Sequence, residues 1–181
     1  MHRDKIRVRV RSNYEFKSLI QEGYNKCLKG EIWHLALSFV RDKKDIDKIE
    51  LFIKKALSLL GERVEKWDIK NNLVTPLKKV FNLKEVDLFF SPHSQQILCE
   101  KNIIVPDDKG GFKEYRPDRV VVFEDKIVVV DFKSEKPSDK NIYNKYVSQV
   151  KGYVEELKKL FNAPVEGYLL FISNPKVEKV S

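Results

Sequence analysis

Two aspartates and a lysine in the second half of the chain carry the first chemical signal. Asp131 ends the apolar run Ile127-Val128-Val129-Val130, and Lys133 follows two residues on. A strand places residues two apart on one face, so Asp131 and Lys133 point together and Phe132 points away. Charges at the end of a buried strand are costly unless they pair or hold a metal. A strand-end ion pair is the plain structural alternative. Asp118 opens the preceding apolar run, Val120-Val121-Val122-Phe123, and Glu124-Asp125 can turn the chain between the two runs. That hairpin sets Asp118 beside Asp131. Adjacent carboxylates repel unless a cation lies between them. Hard oxygen donors suit one or two Mg²⁺ or Mn²⁺ ions, with the backbone carbonyl of Phe132 as a further donor. Lys133 then offers a compact positive charge to a phosphate or to an attacking water. Such an arrangement would suit metal-assisted hydrolysis of a phosphodiester. Asp-x-Lys also occurs at Asp42, Asp68 and Asp107, in polar helical or turn surroundings that make those three solvated surface.

The elements that must position these groups change period midway. The first ninety residues read as helical. Segment 14–28 is weakly periodic, Gly30 punctuates it, and Glu31 to Val40 reads as a short separate helix. Asp45 can cap a helix whose stripe is Ile46, Ile49, Ile53, Leu57 and Leu60, with Gly61 as its stop. A further helix is predicted over about Leu73 to Asn82. Residues 91–181 read as β-β-β-α-β: one strand over Ser94 to Val105, a turn at Asp107-Asp108-Lys109-Gly110-Gly111, the two runs of the hairpin, a long helix from Asp139 or Asn141 to Phe161, and the strand Gly167 to Ile172. The helix stripe is Tyr146, Val150, Tyr153, Leu157, Leu160 and Phe161. A short tail strand is predicted near Val177 to Val180.

The chain has 181 residues, 42% of them hydrophobic, so a single domain with a proper core is expected. The net charge of +8 suits a polyanionic partner such as nucleic acid, and a lysine-rich soluble surface accounts for it equally. Cys27 and Cys99 lie far apart and are expected to be buried thiols; they supply no iron–sulfur cluster or zinc site. No Gly-rich phosphate loop is present, so no nucleotide cofactor is expected. His2, His34 and His93 form no motif with a nucleophilic Ser or Cys. The apolar stretches are too short for a membrane span and no signal peptide follows Met1, so a cytoplasmic location is expected.

Pro117-Asp118 with Asp131-Phe132-Lys133 resembles the PD-(D/E)xK nuclease superfamily. More narrowly it resembles the RecB-like nuclease domains of bacterial helicase–nucleases such as RecB and AddA. Arg116-Pro117-Asp118-Arg119-Val120 resembles that family's strand motif, Gln149-Val150-Lys151-Gly152-Tyr153 its QxxxY helix, and Gly30-Glu31-Ile32-Trp33-His34-Leu35-Ala36-Leu37 its GxxxHxxL helix. The resemblance implies an α/β (α+β) fold, a restriction-endonuclease-like core with a central mixed sheet flanked by helices and an N-terminal helical part. It implies metal ligation by His34, Asp118, Asp131 and the Phe132 carbonyl. Lys133, Gln149 and Tyr153 would line the catalytic site, with Glu100 as a possible addition. It further implies an exonuclease in DNA repair or recombination, acting on single strands or ends, with a helicase motor in the same or a partner chain. Pro117 stands where many such domains carry an aliphatic residue. The rival class is a catalytically idle DNA-binding or docking module.

Overall fold

The computed structural model describes residues 14–106 and 110–181, with backbone alone for residues 14–22 and 24. The predicted turn residues Asp107 to Lys109 and the N-terminal Met1 to Lys5 lie outside them.

The helical half begins with α1, Tyr14–Phe39. Gly30 does not end a helix, contrary to the sequence expectation. It sits inside α1, where a Cβ would come within 2.8 Å of Ser134 Oγ. The missing side chain serves close approach of a neighbouring loop, not a stop. Leu28, Ile32, Trp33, Ala36 and Leu37 form the buried face of α1, and Trp33 donates to the Leu73 carbonyl at 3.0 Å.

A 3-10 turn, Lys43–Lys48, leads into α2, Ile49–Leu59. Its cap is Asp42, and Asp45 completes the reciprocal capping box. Asp45 therefore acts three residues inside the expected position. Ile49, Ile53 and Leu57 are buried as the stripe requires. Gly61 stops the helix with φ +71°. Asp68 caps a π-helical turn, Ile69–Val74, which runs into α3, Thr75–Val80. Two of the spare Asp-x-Lys aspartates are thus helix caps. A short α4, Val86–Phe89, was not foreseen.

The predicted strand over Ser94 to Val105 is two strands. β1, Gln96–Cys99, and β2, Ile103–Pro106, are separated at Glu100, whose φ is +52°. β2 pairs with β3, Phe112–Tyr115, as a separate two-stranded sheet. The main sheet has the order β1-β4-β5-β6-β7, with β4 Arg119–Val122, β5 Ile127–Lys133, β6 Val165–Phe171 and β7 Lys176–Lys179. β5 and β6 run parallel and the other neighbours antiparallel. α5, Lys140–Phe161, makes the crossover between the parallel pair and is capped by Asp139.

A mixed five-stranded sheet flanked by helices results, in keeping with the fold that the resemblance implies. Strand alternation sorts its side chains into two cores. Val121, Val128, Val130, Phe132, Tyr168, Leu170 and Ile172 join the helical half. Val120, Val129, Leu169 and Phe171 pack on Val150, Tyr153, Val154 and Leu157 of α5. Gly167 lets α5 lie close, since a Cβ there would meet Val150 and Val154 at 2.7 Å. Leu160 and Phe161, expected in the α5 stripe, are 55% and 43% exposed because the helix has run past the sheet.

Candidate metal centre

The apolar alternation of β5 delivers the central pair. Its even-numbered residues from Val128 to Phe132 face the helical half. Asp131 and Lys133 therefore face α5. β4 starts at Arg119, which pairs with Val130, so Asp118 lies just before the strand and beside Asp131. Both aspartates are buried, at 9% and 2% exposure. Asp118 Oδ2 accepts from the Phe132 amide at 2.5 Å. Its Oδ1 lies 3.1 Å from Nδ1 of His34.

His34 stands at the rim of the buried face of α1. Its ring meets Phe132 edge to face at a centroid distance of 5.9 Å. Glu100 arrives by a different device. Its left-handed backbone turns the chain out of β1, and its amide donates to the Asp118 carbonyl at 3.1 Å. Its carboxylate ion-pairs with Arg116 at 2.9 Å. His34, Glu100 and Asp118 each offer a ligand atom, all within 4.8 Å of one another. A cavity of about 520 Å³, lined by Gly30, His34, Leu35, Glu100 and Arg116 among others, opens onto them.

Asp131 stands beside this trio rather than in it. Lys133 Nζ lies 2.6 Å from its Oδ2, an ion-pair contact without hydrogen-bond alignment, and that oxygen has no other polar partner. Lys133 also donates to Gln149 Oε1 at 3.2 Å, and its ammonium sits 4.5 Å from the centre of the Tyr146 ring. Gln149 Nε2 donates to the Tyr153 hydroxyl at 2.8 Å, and that hydroxyl donates to the Arg116 carbonyl at 3.2 Å. Gln149 and Tyr153 are one turn apart on α5, so both reach the same face. The relay fixes Lys133 against Asp131 and ties α5 to the chain entering Asp118.

The electrostatics of the centre follow from burial and from the crowding of its carboxylates. Burial, and then the neighbouring Asp118 charge, push Asp131 up to about 6 against the pull of Lys133. Burial and Asp118 likewise raise Glu100, opposed by Arg116. Burial alone would lower His34, but Asp118, Glu100 and Asp131 outweigh it and raise it. Burial raises the Tyr153 hydroxyl, with Asp131 adding to it. Carboxylates with raised pKa values, gathered within reach of an imidazole, are a donor set that a hard divalent cation fits. Oδ2 of Asp131, paired at 2.6 Å with Lys133 Nζ, lies beside the same cluster.

The sign for stability follows. Raised folded-state values mean that the folded protein holds more protons than the unfolded chain between about pH 4, the ordinary carboxylate value, and about pH 6, the folded value of Asp131. Without metal, this centre therefore favours the folded state most at the acid end and loses that contribution as pH rises through the folded values. In EDTA, the contribution of the centre should decline from pH 5 to pH 7.5. Mn²⁺ should restore stability at pH 7.5 and do little at pH 5, where protons compete for the same atoms. Thermal melts at both pH values check this; an equal Mn²⁺ effect at the two would refute it.

Sequence reasoning undervalued three residues. Glu100 emerges as one of the three clustered donors, although its signal, a left-handed backbone, is invisible in residue type. Tyr146, read only as part of the α5 stripe, faces the Lys133 ammonium. Arg119 is fully buried and donates to the Phe89, Val40 and Arg41 carbonyls at 2.6, 2.8 and 2.9 Å. It covers the Phe90 ring at 4.2 Å, and burial lowers its pKa to about 10. Cys27, expected to be buried, is exposed, and Cys99 is half-buried.

No family model matches the sequence, and no curated protein matches it. Eight solved chains match in structure. Among them is the small subunit of the heterodimeric restriction endonuclease R.BspD6I, with 16% identity and a TM-score of 0.30 over 60% of this chain and 53% of that one. The chain thus aligns with about half the length of that subunit.

Proposed function

We propose that the protein is a metal-dependent DNA nuclease that hydrolyses phosphodiester bonds. The observation that carries this reading is the clustering of His34, Glu100 and Asp118 directly beside the buried Asp131–Lys133 pair. Asp118, His34 and Glu100, with Asp131 and the Phe132 carbonyl, would hold Mg²⁺ or Mn²⁺. The bound cation supplies Lewis acidity toward a phosphoryl oxygen and lowers the pKa of a water.

The chain's own groups do the rest. Lys133 presents a fixed ammonium to the developing phosphorane charge, preorganised by Asp131, Gln149 and Tyr146. Gln149 and Tyr153 keep that ammonium in place. Arg116, 63% exposed at its side chain and held by Glu100, stands at the mouth of the cavity, where a phosphate would arrive. The narrower reading is an exonuclease of DNA repair or recombination working with a helicase motor. It rests on the resemblance of the His34, Asp118 and Gln149–Tyr153 motifs.

Labelled single- and double-stranded DNA, with Mg²⁺, Mn²⁺ or EDTA, tests the proposal. Cleavage should require metal. Lys133→Ala should slow it by about 10²–10³-fold, the usual cost of losing one preorganised charge or donor. Metal-independent cleavage, or equal cleavage by Lys133→Ala, would sink the mechanism. DNA binding without cleavage under every condition would favour the idle module.

A further inference from the structure

A second concavity lies away from the carboxylates, and it is the larger of the two, about 660 Å³. One wall is α1, through Asn25, Lys26, Leu28 and Lys29. The other is the segment after α2, through Glu62, Lys66, Trp67 and Asn72. Among the described residues lining it, three lysines face one glutamate. The floor is apolar, since Leu28 is buried and Trp67 packs half-buried against the core.

Lys29 is the most constrained of these cations. Its ammonium sits 4.5 Å from the centre of the Trp33 ring, and burial lowers its pKa against the pull of Glu135. Glu135 also pairs with Lys26 at 3.7 Å. Glu135 is two residues past Lys133, and Ser134 touches α1 at Gly30. The turn leaving the Asp131–Lys133 strand therefore leads directly to the lysine wall.

We propose that this groove binds single-stranded DNA on its way to or from the metal centre. Lys26, Lys29 and Lys66 would take phosphates, and Trp67 would stack on a base. A cationic trough with an accessible aromatic ring is the combination that holds single strands without reading sequence. Trp67 differs from the chain's other tryptophan in the way this requires. Trp33 is fully buried with its N–H committed to Leu73, whereas Trp67 remains partly open to the groove. This inference rests on the nuclease reading for its choice of DNA, but it does not need the protein to cleave.

The test is binding in EDTA, where a metal-dependent nuclease leaves the probe intact. Fluorescein-labelled oligo-dT of 20 nucleotides is titrated by anisotropy, and tryptophan emission is followed with the unlabelled strand. The strand should quench the emission. Trp67→Phe should abolish the quench while keeping the binding. Trp67→Ala should weaken binding roughly tenfold.

The double variant Lys26→Gln with Lys66→Gln changes exposed side chains and should fold normally by circular dichroism. It should bind roughly tenfold more weakly at low salt, with a salt slope shallower by about 0.7 for each lost contact. Binding by the double variant within twofold of wild type at every salt concentration would overturn the proposal. So would strand binding without any tryptophan quench, or an equal quench by a 20-base-pair duplex. Absence of cleavage with the quench intact would overturn the nuclease reading and leave the groove standing.

Discussion

Asp118→Asn is expected to lower metal-dependent cleavage by at least about 10³-fold while the protein stays folded. Asparagine keeps the shape and can keep both contacts. Its carbonyl can accept from the Phe132 amide, and its Nδ2 can donate to a neutral His34 Nδ1, the two contacts that Asp118 makes at 2.5 and 3.1 Å. The lost quantity is the negative charge at the point where His34 and Glu100 converge. A cation held there contributes several kcal/mol of transition-state stabilisation, and each 1.36 kcal/mol is a factor of ten. Calorimetric titration with Mn²⁺ should show binding lost in parallel. Two effects on pH dependence follow in the metal-free protein. Asp131 should fall back from its raised value, because the Asp118 charge is one of the causes of the rise. His34 should lose part of its upward shift for the same reason. Cleavage within tenfold of wild type would remove Asp118 from the centre.

Arg119→Met should cost about 3 kcal/mol of stability, a large share of the usual total of about 5–15 kcal/mol. The methionine stem replaces the apolar part of the side chain but donates to nothing. The carbonyls of Val40 and Phe89 would then be buried without donors, at about 1–3 kcal/mol each. They stand at the ends of α1 and α4, where unpaired carbonyls gather and a cation is favoured. Arg119→Lys should recover little, because an ammonium lacks the planar fork that reaches three carbonyls at once. Urea midpoints compare the variants. A loss under 1 kcal/mol for methionine would show that the carbonyls find other donors.

These two residues also mark where the sequence was legible and where it was not. Asp131 and Lys133 were readable because a period of two in an apolar strand fixes which side chains share a face. Gln149 and Tyr153 were readable because a helix brings positions four apart together. The order of helices and strands followed from the same periodicities, whereas the central mixed sheet was what the family resemblance implied. Arg119 was legible only as a letter in a motif, since its partners are backbone carbonyls and carry no residue signature. Gly30 was misread as a stop because its purpose is a neighbour 104 positions away, Ser134. β3 was missed because Phe112-Lys113-Glu114-Tyr115 lies largely on the surface, with Phe112 77% exposed. Such a strand has no buried alternation to betray it. Glu100 was the weakest candidate because its placement comes from one backbone angle.

The seam between the two halves has a consequence for the living cell. His34 lies on α1, and its partner Asp118 follows 84 residues later. Lys133 comes later still, and the α5 residues that hold it last. Contacts so distant along the chain form late. The cluster of His34, Glu100 and Asp118 and the relay from Lys133 through Gln149 to Tyr153 therefore close only once Tyr153 and the strand behind it have joined the chain. On the nuclease reading proposed above, such a centre would gain its activity only late in synthesis.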